Sequence, residues 1–313
     1  MNKLEKENKL KKVHKLEQWK NQSRSDKVFD VFNTALLILI LLICLYPLYY
    51  IVMVSFSNQV TGVYLLPKNF TLEGYRMILS QKDIWIGYGN TIFYTVFGTL
   101  ANLAVTLPCA YALSRKDFIG RNIVTTIIMI TMFIGGGLIP TYLNMSNLKL
   151  INTRWAIILS GLTSSYNIVV SRTFFATSIP MELLEASRID GCSNEKFFVK
   201  IVLPLSKPII AVMALYFGVG RWNSYFGEMI YLSDKEKFPL SLFLRRLLSN
   251  IKALQVMISE GLIEDVSGAL SNMQMSSVMQ YCLIVVSTIP MMIIYPFMQK
   301  YFAKGVMIGS VKG

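Results

Sequence analysis

The strongest constraint on this chain is a set of apolar runs long enough to cross a lipid bilayer. Residues 31–55 contain no charged side chain and are rich in Leu, Ile, Val and aromatic residues. A hydrocarbon core of about 30 Å needs roughly 20 apolar helical residues, so this run predicts a spanning helix. Of the 313 residues, 53% are hydrophobic and 16% are charged, which is too apolar for an ordinary soluble domain of this size. The chain is therefore predicted to be a helical membrane protein.

Five further apolar runs divide the rest of the chain. They cover residues 90–114, 122–142, 155–171, 205–232 and 278–302. Together with the first run, they predict an all-α integral membrane protein with six transmembrane helices. The predicted division is a basic tail at 1–30, a first helix and outer loop at 31–88, a core at 89–303 that carries a polar insert at 177–207, and a tail at 304–313.

Basic residues predict the orientation of these spans. If the N-terminus is cytoplasmic, the cytoplasmic segments hold about twice as many Lys and Arg residues as the opposite segments. This bias predicts an N-in, C-in topology and places the polar insert on the cytoplasmic side. The net charge of +13 is therefore interpreted as a topology signal, and no nucleic-acid partner is expected.

The polar insert predicts two short helices that meet at a glycine. Residues 182–190, with the sequence ELLEASRID, combine apolar and charged positions as an amphipathic helix does. Gly191 follows as a helix stop that tolerates a left-handed backbone. A second short helix is expected at 194–200, and Pro204 and Pro208 then turn the chain into the fifth run. An ordinary polar loop is the alternative interpretation from composition alone.

The spacing of these residues is similar to a known motif. Glu185-Ala186-Ser187, three residues, Gly191, nine residues and then Ile201-Val202-Leu203-Pro204 resemble the EAA motif of binding-protein-dependent ABC importer permeases. Ser187 stands where the motif has its second alanine, which is a small-for-small change. Residues 66–75, 90–115, 190–215 and 299–313 also resemble the carbohydrate-uptake branch of these permeases, the branch of the maltose permease G subunit.

The resemblance implies a type I ABC importer permease fold in which the insert forms a coupling helix seated in a cytoplasmic ATPase subunit. Glu185 would contact a basic group of the ATPase, and Gly191 would allow the elbow. The residues implied in ATPase coupling are Glu182, Glu185, Ala186, Ser187, Asp190, Gly191, Phe197, Leu203 and Pro204. The tail residues implied at the ATPase interface are Gly309, Ser310, Val311, Lys312 and Gly313, with a frayed terminus as the alternative.

The chain itself carries no sequence signal for ATP chemistry. It has no G-x-x-x-x-G-K-[ST] phosphate loop, and its single histidine, His14, lies in the basic tail. We therefore expect a non-catalytic subunit without cofactor or metal, with ATP and Mg²⁺ bound by partner ATPase subunits. The resemblance implies two ATPase subunits, a second homologous permease chain, membrane lipids, a carbohydrate substrate and a solute-binding protein docked on the outer loops, all at the bacterial cytoplasmic membrane.

Two charged residues lie inside the predicted fifth span. Arg221 and Glu228 are seven positions apart, which would place them on one helical face directed at a bundle interior or an aqueous cavity. Trp222, Asn223 and Tyr225 supply aromatic faces and hydrogen-bonding groups of the kind that bind sugars. These five residues are predicted to line the substrate pathway, and helix packing with interfacial aromatics is the alternative. Three consecutive glycines at 135–137 predict a helix bend, as a gate hinge or as a close-packing site.

A different class of transporter would fit some of the same features. An ion-coupled secondary transporter would need inverted repeats and midplane ionisable residues, for which the pair Arg221 and Glu228 is the available signal. An intramembrane enzyme would need a catalytic cluster, and the sequence offers none. The importer interpretation predicts an associated ATPase, whereas the secondary transporter predicts ATP-independent uptake.

Overall fold

The structure is a computed structural model that describes residues 23–58, 60, 66–67 and 69–310, with side chains as far as residue 296. Most of the predicted basic tail and residues 311–313 of the predicted C-terminal tail lie outside these ranges. Within them there is no β-strand, and one isolated bridge joins Ser57 to Phe70. The helical fold class predicted from the apolar runs is confirmed.

The helices of the described ranges follow one another with short connections. They are α1 (Arg24–Ser55), α2 (Glu73–Ser80), α3 (Lys82–Ser114), α4 (Arg121–Ile130), α5 (Leu138–Asn147), α6 (Arg154–Ser160), α7 (Ser165–Ser178), α8 (Met181–Ile189), α9 (Asn194–Phe197), α10 (Leu203–Leu205), α11 (Lys207–Asn223), α12 (Phe226–Tyr231), α13 (Leu240–Ser259) and α14 (Val266–Ser310). A π-helical turn at Phe198–Val202 joins α9 to α10, and a 3₁₀ turn at Lys235–Lys237 precedes α13.

Three of the described helices are long and apolar enough to cross a membrane. They are α1, α3 and the segment Val266–Pro296 of α14. A fourth candidate is a bent pair, in which Asn194–Leu205 meets α11 at an angle of 82°. The first, second and last predicted runs thus coincide with long helices, whereas the count of six spans stays a prediction.

The third and fourth predicted runs are each divided into two helices. In the third run the break includes the three glycines 135–137, where the sequence predicts a bend, and this prediction is confirmed. The fourth run was predicted to be continuous, and this prediction is wrong. Between α4 and α5 the chain leaves the helix at 131–137, where Gly137 has a φ of 83°, a left-handed value that suits glycine. Between α6 and α7 the break is at 161–164. There the hydroxyl of Ser164 accepts a hydrogen bond from the backbone N–H of Asn167 and caps α7.

The fifth predicted run also breaks, which corrects the expected placement of its charged residues. α11 ends at Asn223, and Ser224 is extended with a ψ of 138° before α12 begins. Arg221 and Glu228 therefore lie on different helices and not on one helical face. Ser224 stabilises the break from both sides, because its hydroxyl donates to Glu228 Oε2 at 3.0 Å and its carbonyl accepts from the hydroxyl of Ser241.

α3 is the central scaffold of the bundle. Towards its C-terminal end it packs against α7, α9 and α11 in a cluster that includes Leu107, Phe175, Phe197 and Met213. Towards its N-terminal end a second cluster includes Tyr94, Met145, Ile157 and Tyr231. α1 is almost entirely exposed along its apolar length, as expected for a helix that faces lipid.

The sequence predicts that the segment 233–277 is an outer loop, but this segment contains the 20-residue helix α13. Leu240, Leu242 and Ile251 are its buried residues, and the helix packs against α3 and α14. Its remaining positions include Arg245 and Arg246, which are exposed. The amphipathic pattern explains why no apolar run marked this helix.

Candidate functional site

We call residues 181–205 the helical knob. Its first helix, α8, ends in a complete Schellman motif: the N–H of Cys192 donates to Ser187 O at 2.9 Å, and the N–H of Gly191 donates to Arg188 O at 3.0 Å. Gly191 has a φ of 70°, where a side chain adds strain even though no atom lies within 4 Å of an added Cβ. The predicted helix, glycine stop and second helix are confirmed.

The inner face of the knob anchors it to the bundle. Leu184 and Ser187 are buried on α8, and Phe197 is fully buried in the cluster at the end of α3. The hydroxyl of Ser187 donates to Leu184 O at 2.8 Å, so its polar atom is satisfied inside its own helix. Ser187 and Phe197, both implied in ATPase coupling by the resemblance, therefore lie on the side of the knob that faces the bundle.

The outer face of the knob is exposed and mixes acidic with apolar residues. Glu182, Glu185, Ala186 and Asp190 are exposed on α8, as is Ile189, whose exposed fraction is 87%. On the second half of the knob, Leu203 is partly buried and Pro204 is exposed. The outer face of the knob therefore presents a large apolar side chain to solvent beside three carboxylates.

A charged clamp holds the knob against the turn between α3 and α4. Asp117 in this turn accepts hydrogen bonds from Arg115 and, at 2.8 Å, from Arg188 of α8. Arg115 also donates to Asn194 Oδ1 at 2.8 Å, which ties in α9. The hydrogen bonds from Arg115 and Arg188 hold the pKa of the Asp117 carboxyl well below its usual range.

The sequence pattern did not predict this clamp, because Asp117 and Arg188 are 71 residues apart. The signal that points to it is the single acidic residue in the basic turn RKDFIGR. The clamp thus joins the knob to the end of α3.

Arg221 lies at a second polar cluster, inside the bundle. Its guanidinium donates to the carbonyls of Ile157 and Ile158, the latter at 2.9 Å, and to Asn102 Oδ1 at 3.2 Å. Ile157 and Ile158 belong to the last turn of α6, whose carbonyls lack the backbone N–H partners that carbonyls have in the interior of a helix. The carbonyl of Ile157 also accepts a hydrogen bond from the hydroxyl of Ser160 at 3.3 Å. Arg221 therefore caps the broken end of α6.

Asn102 and two glycines complete this cap. The Asn102 amide donates to the carbonyls of Gly161 and Leu162, which lie in the break between α6 and α7. A Cβ on Gly98 would lie 3.0 Å from Arg221 Nε, and one on Gly161 would lie 3.2 Å from Nη2. Non-helical backbone inside a bundle needs such internal partners, and these residues provide them.

The other predicted pathway residues lie around a cleft of about 260 Å³. Trp222, Asn223 and Tyr225 line it, together with Ser241 and Arg245 of α13. Trp222 is fixed in place, since its indole N–H donates to Ser287 O at 3.0 Å. Of the five predicted pathway residues, the structure brings these three together, while Arg221 and Glu228 do not line the cleft.

These features define a class of protein: a helical membrane subunit with a clamped knob on its bundle and a polar cleft between its helices. The family described as "binding-protein-dependent transport system inner membrane component" matches residues 84–307, and the chain belongs to it. The family resemblance found in the sequence is thus confirmed. Members are non-catalytic permease subunits of ABC transporters.

Similar proteins cover nearly the whole chain. Protein LplC of Bacillus subtilis is 36% identical over 94% of this chain and 98% of its own length. The polygalacturonan/rhamnogalacturonan transport system permease protein YtcP of Bacillus subtilis is 36% identical over 92% of this chain and 99% of its own length. A crystal structure of a bacterial ABC transporter involved in the import of the acidic polysaccharide alginate matches with a TM-score of 0.77 and 36% identity, over 90% of this chain and 99% of the other.

Proposed function

We propose that this chain is the permease subunit of an ATP-driven importer of oligosaccharides in a bacterial cytoplasmic membrane. The observation that carries the proposal is the helical knob, whose outer face is exposed in a chain that belongs to the ABC permease family. The relatives named for oligosaccharide and polygalacturonan transport support the substrate class. The same family membership favours the importer over an ion-coupled transporter.

In this proposal the knob receives mechanical work from an ATPase subunit. Glu182, Glu185 and Asp190 offer carboxylates to basic groups of the ATPase, and Ile189 offers an apolar contact beside them. The buried Phe197 and the Asp117 clamp make the knob a rigid handle. Closure of two ATPase subunits on ATP and Mg²⁺ then moves the bundle between inward-open and outward-open states.

The remaining partners follow from the same assignment. A second homologous permease chain pairs with this one, and a solute-binding protein docks on the segments 56–89 and 233–277. Six spans with an N-in, C-in topology place these segments outside and the knob inside. The C-terminal tail, of which Gly309 and Ser310 end α14, reaches the ATPase interface.

We further propose that the five residues predicted to line the substrate pathway have different roles. Trp222, Asn223 and Tyr225 contact the passing sugar from the cleft. Arg221 instead acts as a backbone cap, since its guanidinium is directed to α6 and Asn102. Glu228 is buried and accepts a hydrogen bond from Ser224, which supports the helix break.

The decisive experiment is charge reversal on the outer face of the knob. Glu185→Lys should leave the chain in the membrane but remove the co-purifying ATPase and reduce ATP-dependent uptake at least tenfold, because a repelled cation replaces an ion-pair partner. Glu73→Lys, a charge reversal at an exposed position of α2, should retain the ATPase. The yield of ATPase is the readout of this control, because Glu73 lies in the segment 56–89. An unchanged ATPase yield with Glu185→Lys would contradict the proposal, and ATP-independent uptake that a protonophore abolishes would favour the secondary transporter.

A further inference from the structure

Arg245 is a cation in a cleft that contains no acidic side chain among the described residues. The cleft is formed where α3, α11, α13 and α14 meet, which is the kind of interhelical position where bundles bind ligands. Arg245 is exposed on α13, and its guanidinium carbon lies 5.6 Å from the ring centroid of Tyr225. The cleft thus presents a positive charge over an aromatic face.

Arg245 differs from the arginines that hold the fold together. Five other arginines donate side-chain hydrogen bonds to acceptors within the protein: Arg115, Arg154, Arg172, Arg188 and Arg221. Within the described part of the chain, the guanidinium of Arg245 donates no hydrogen bond and forms no ion pair, and its contact is the Tyr225 ring. Its planar donors are therefore available to a ligand.

We propose that Arg245 binds the carboxylate of an acidic saccharide, so that the imported oligosaccharide contains uronate units. This inference rests on the proposed function and specifies its substrate class. A guanidinium matches a carboxylate with two parallel hydrogen bonds, which are stronger than the neutral hydrogen bonds that a hydroxyl would form. No acidic side chain of the cleft competes for Arg245 or repels the bound carboxylate.

The neighbouring residues suit the rest of a sugar unit. Tyr225 is exposed and offers its ring beside the guanidinium. The amide of Asn223 donates to Val219 O at 3.0 Å, which leaves its Oδ1 to accept from a sugar hydroxyl. Ser241 donates its proton to Ser224 O and likewise retains acceptor lone pairs. At about 260 Å³, the cleft holds part of an oligosaccharide and not all of it.

The test compares acids with their neutral esters in the assembled importer. The probes are trigalacturonate and an alginate-derived trisaccharide, each also as its methyl ester. Arg245→Gln should raise the KM for uptake of a transported acid by on the order of tenfold or more, because one charge-assisted contact is lost, and should leave the KM of its ester within about twofold. Arg245→Lys keeps the charge but loses the planar guanidinium, so its KM for the acid should lie between those of the wild type and Arg245→Gln.

Arg246→Gln is the matched control. It removes the same charge from the next residue of α13, whose guanidinium lies over Phe238 at 4.1 Å and lines a different cleft. It should leave the preference for acid over ester unchanged. Equal losses for acid and ester with Arg245→Gln, or no loss for either, would overturn the proposal.

The outcomes also separate this inference from the proposed function. If the wild-type importer takes up neutral oligosaccharides with ATP but neither acid, the uronate assignment fails and the importer stands. If no oligosaccharide is taken up and no ATPase co-purifies, the proposed function fails and the inference fails with it.

Discussion

Replacing Arg221 by methionine removes the cap at the broken end of α6 while preserving most of the side-chain length. The change removes the donor from the carbonyl of Ile158 and from the amide oxygen of Asn102, and it leaves the carbonyl of Ile157 with the hydroxyl of Ser160 alone, at 3.3 Å. Each such buried acceptor costs about 1–3 kcal/mol, although interhelical hydrogen bonds in membranes average about 0.6 kcal/mol. Because three acceptors lose one donor group together, we expect a loss of about 3 kcal/mol.

The measurement is the thermal midpoint of the purified importer complex, followed by tryptophan fluorescence. For a chain of this size, a loss of about 3 kcal/mol lowers the midpoint by roughly 5–10 °C. Arg154→Met is the matched control at the other end of α6, where the guanidinium donates one hydrogen bond, to Asn90 at 3.0 Å. It should lower the midpoint by about a third as much.

A specific result would refute this reasoning. If Arg221→Met melted like the wild type but raised the KM for the transported saccharide, Arg221 would be a pathway residue, as the sequence pattern predicted. If Arg221→Met and Arg154→Met lowered the midpoint equally, the loss of stability would not depend on the number of acceptors that lose their donor.

Two further predictions concern the knob. Gly191→Ala should destabilise the complex by about 1 kcal/mol, because the left-handed φ of 70° strains any side chain even where space is available. Gly191→Asn should destabilise it less, and the thermal midpoints of the two variants measure the difference. Asp117→Asn should cost about 1 kcal/mol at neutral pH. Because the pKa of Asp117 is lowered in the folded state, the contribution is present above the unfolded pKa of about 4 and is lost as pH falls through the folded pKa. The difference in midpoint between wild type and Asp117→Asn should therefore be constant from pH 8 to pH 5 and shrink below about pH 4, and a difference that grows on acidification would contradict the clamp.

The features that sequence predicted well are those that depend on neighbours along the chain. Hydropathy alone indicates α1, α3 and α14, because their central parts carry no charged side chain and have a high mean hydropathy. The knob was predicted from its amphipathic pattern and its glycine, and α8 lies at Met181–Ile189, against the predicted 182–190. Such signals are local and survive without knowledge of the tertiary fold.

The features that sequence did not predict depend on distant partners. The break at 161–164 is tolerated because Asn102 donates to the carbonyls of Gly161 and Leu162, and Arg221 donates to carbonyls in the last turn of α6. Both donors lie some 60 residues away along the chain. A hydropathy average over neighbouring residues has the same value whether or not these distant donors lie nearby in the fold. α13 was missed for a related reason, since its polar positions lower its mean hydropathy and its buried face is defined by α3 and α14.

The 82° bend at Ser206 gives α11 the geometry of a lever. Its short arm is Asn194–Leu205, the second half of the knob, and its long arm is the 17 residues of α11. At 1.5 Å per residue, the long arm measures roughly 25 Å, so a tilt of about 5° displaces its far end by about 2 Å. At that far end, Arg221 donates hydrogen bonds to α6, and Trp222 lines the cleft. A displacement of that size exceeds the range of lengths over which an N–H···O hydrogen bond persists, so a tilt of about 5° would break the hydrogen bonds between Arg221 and α6.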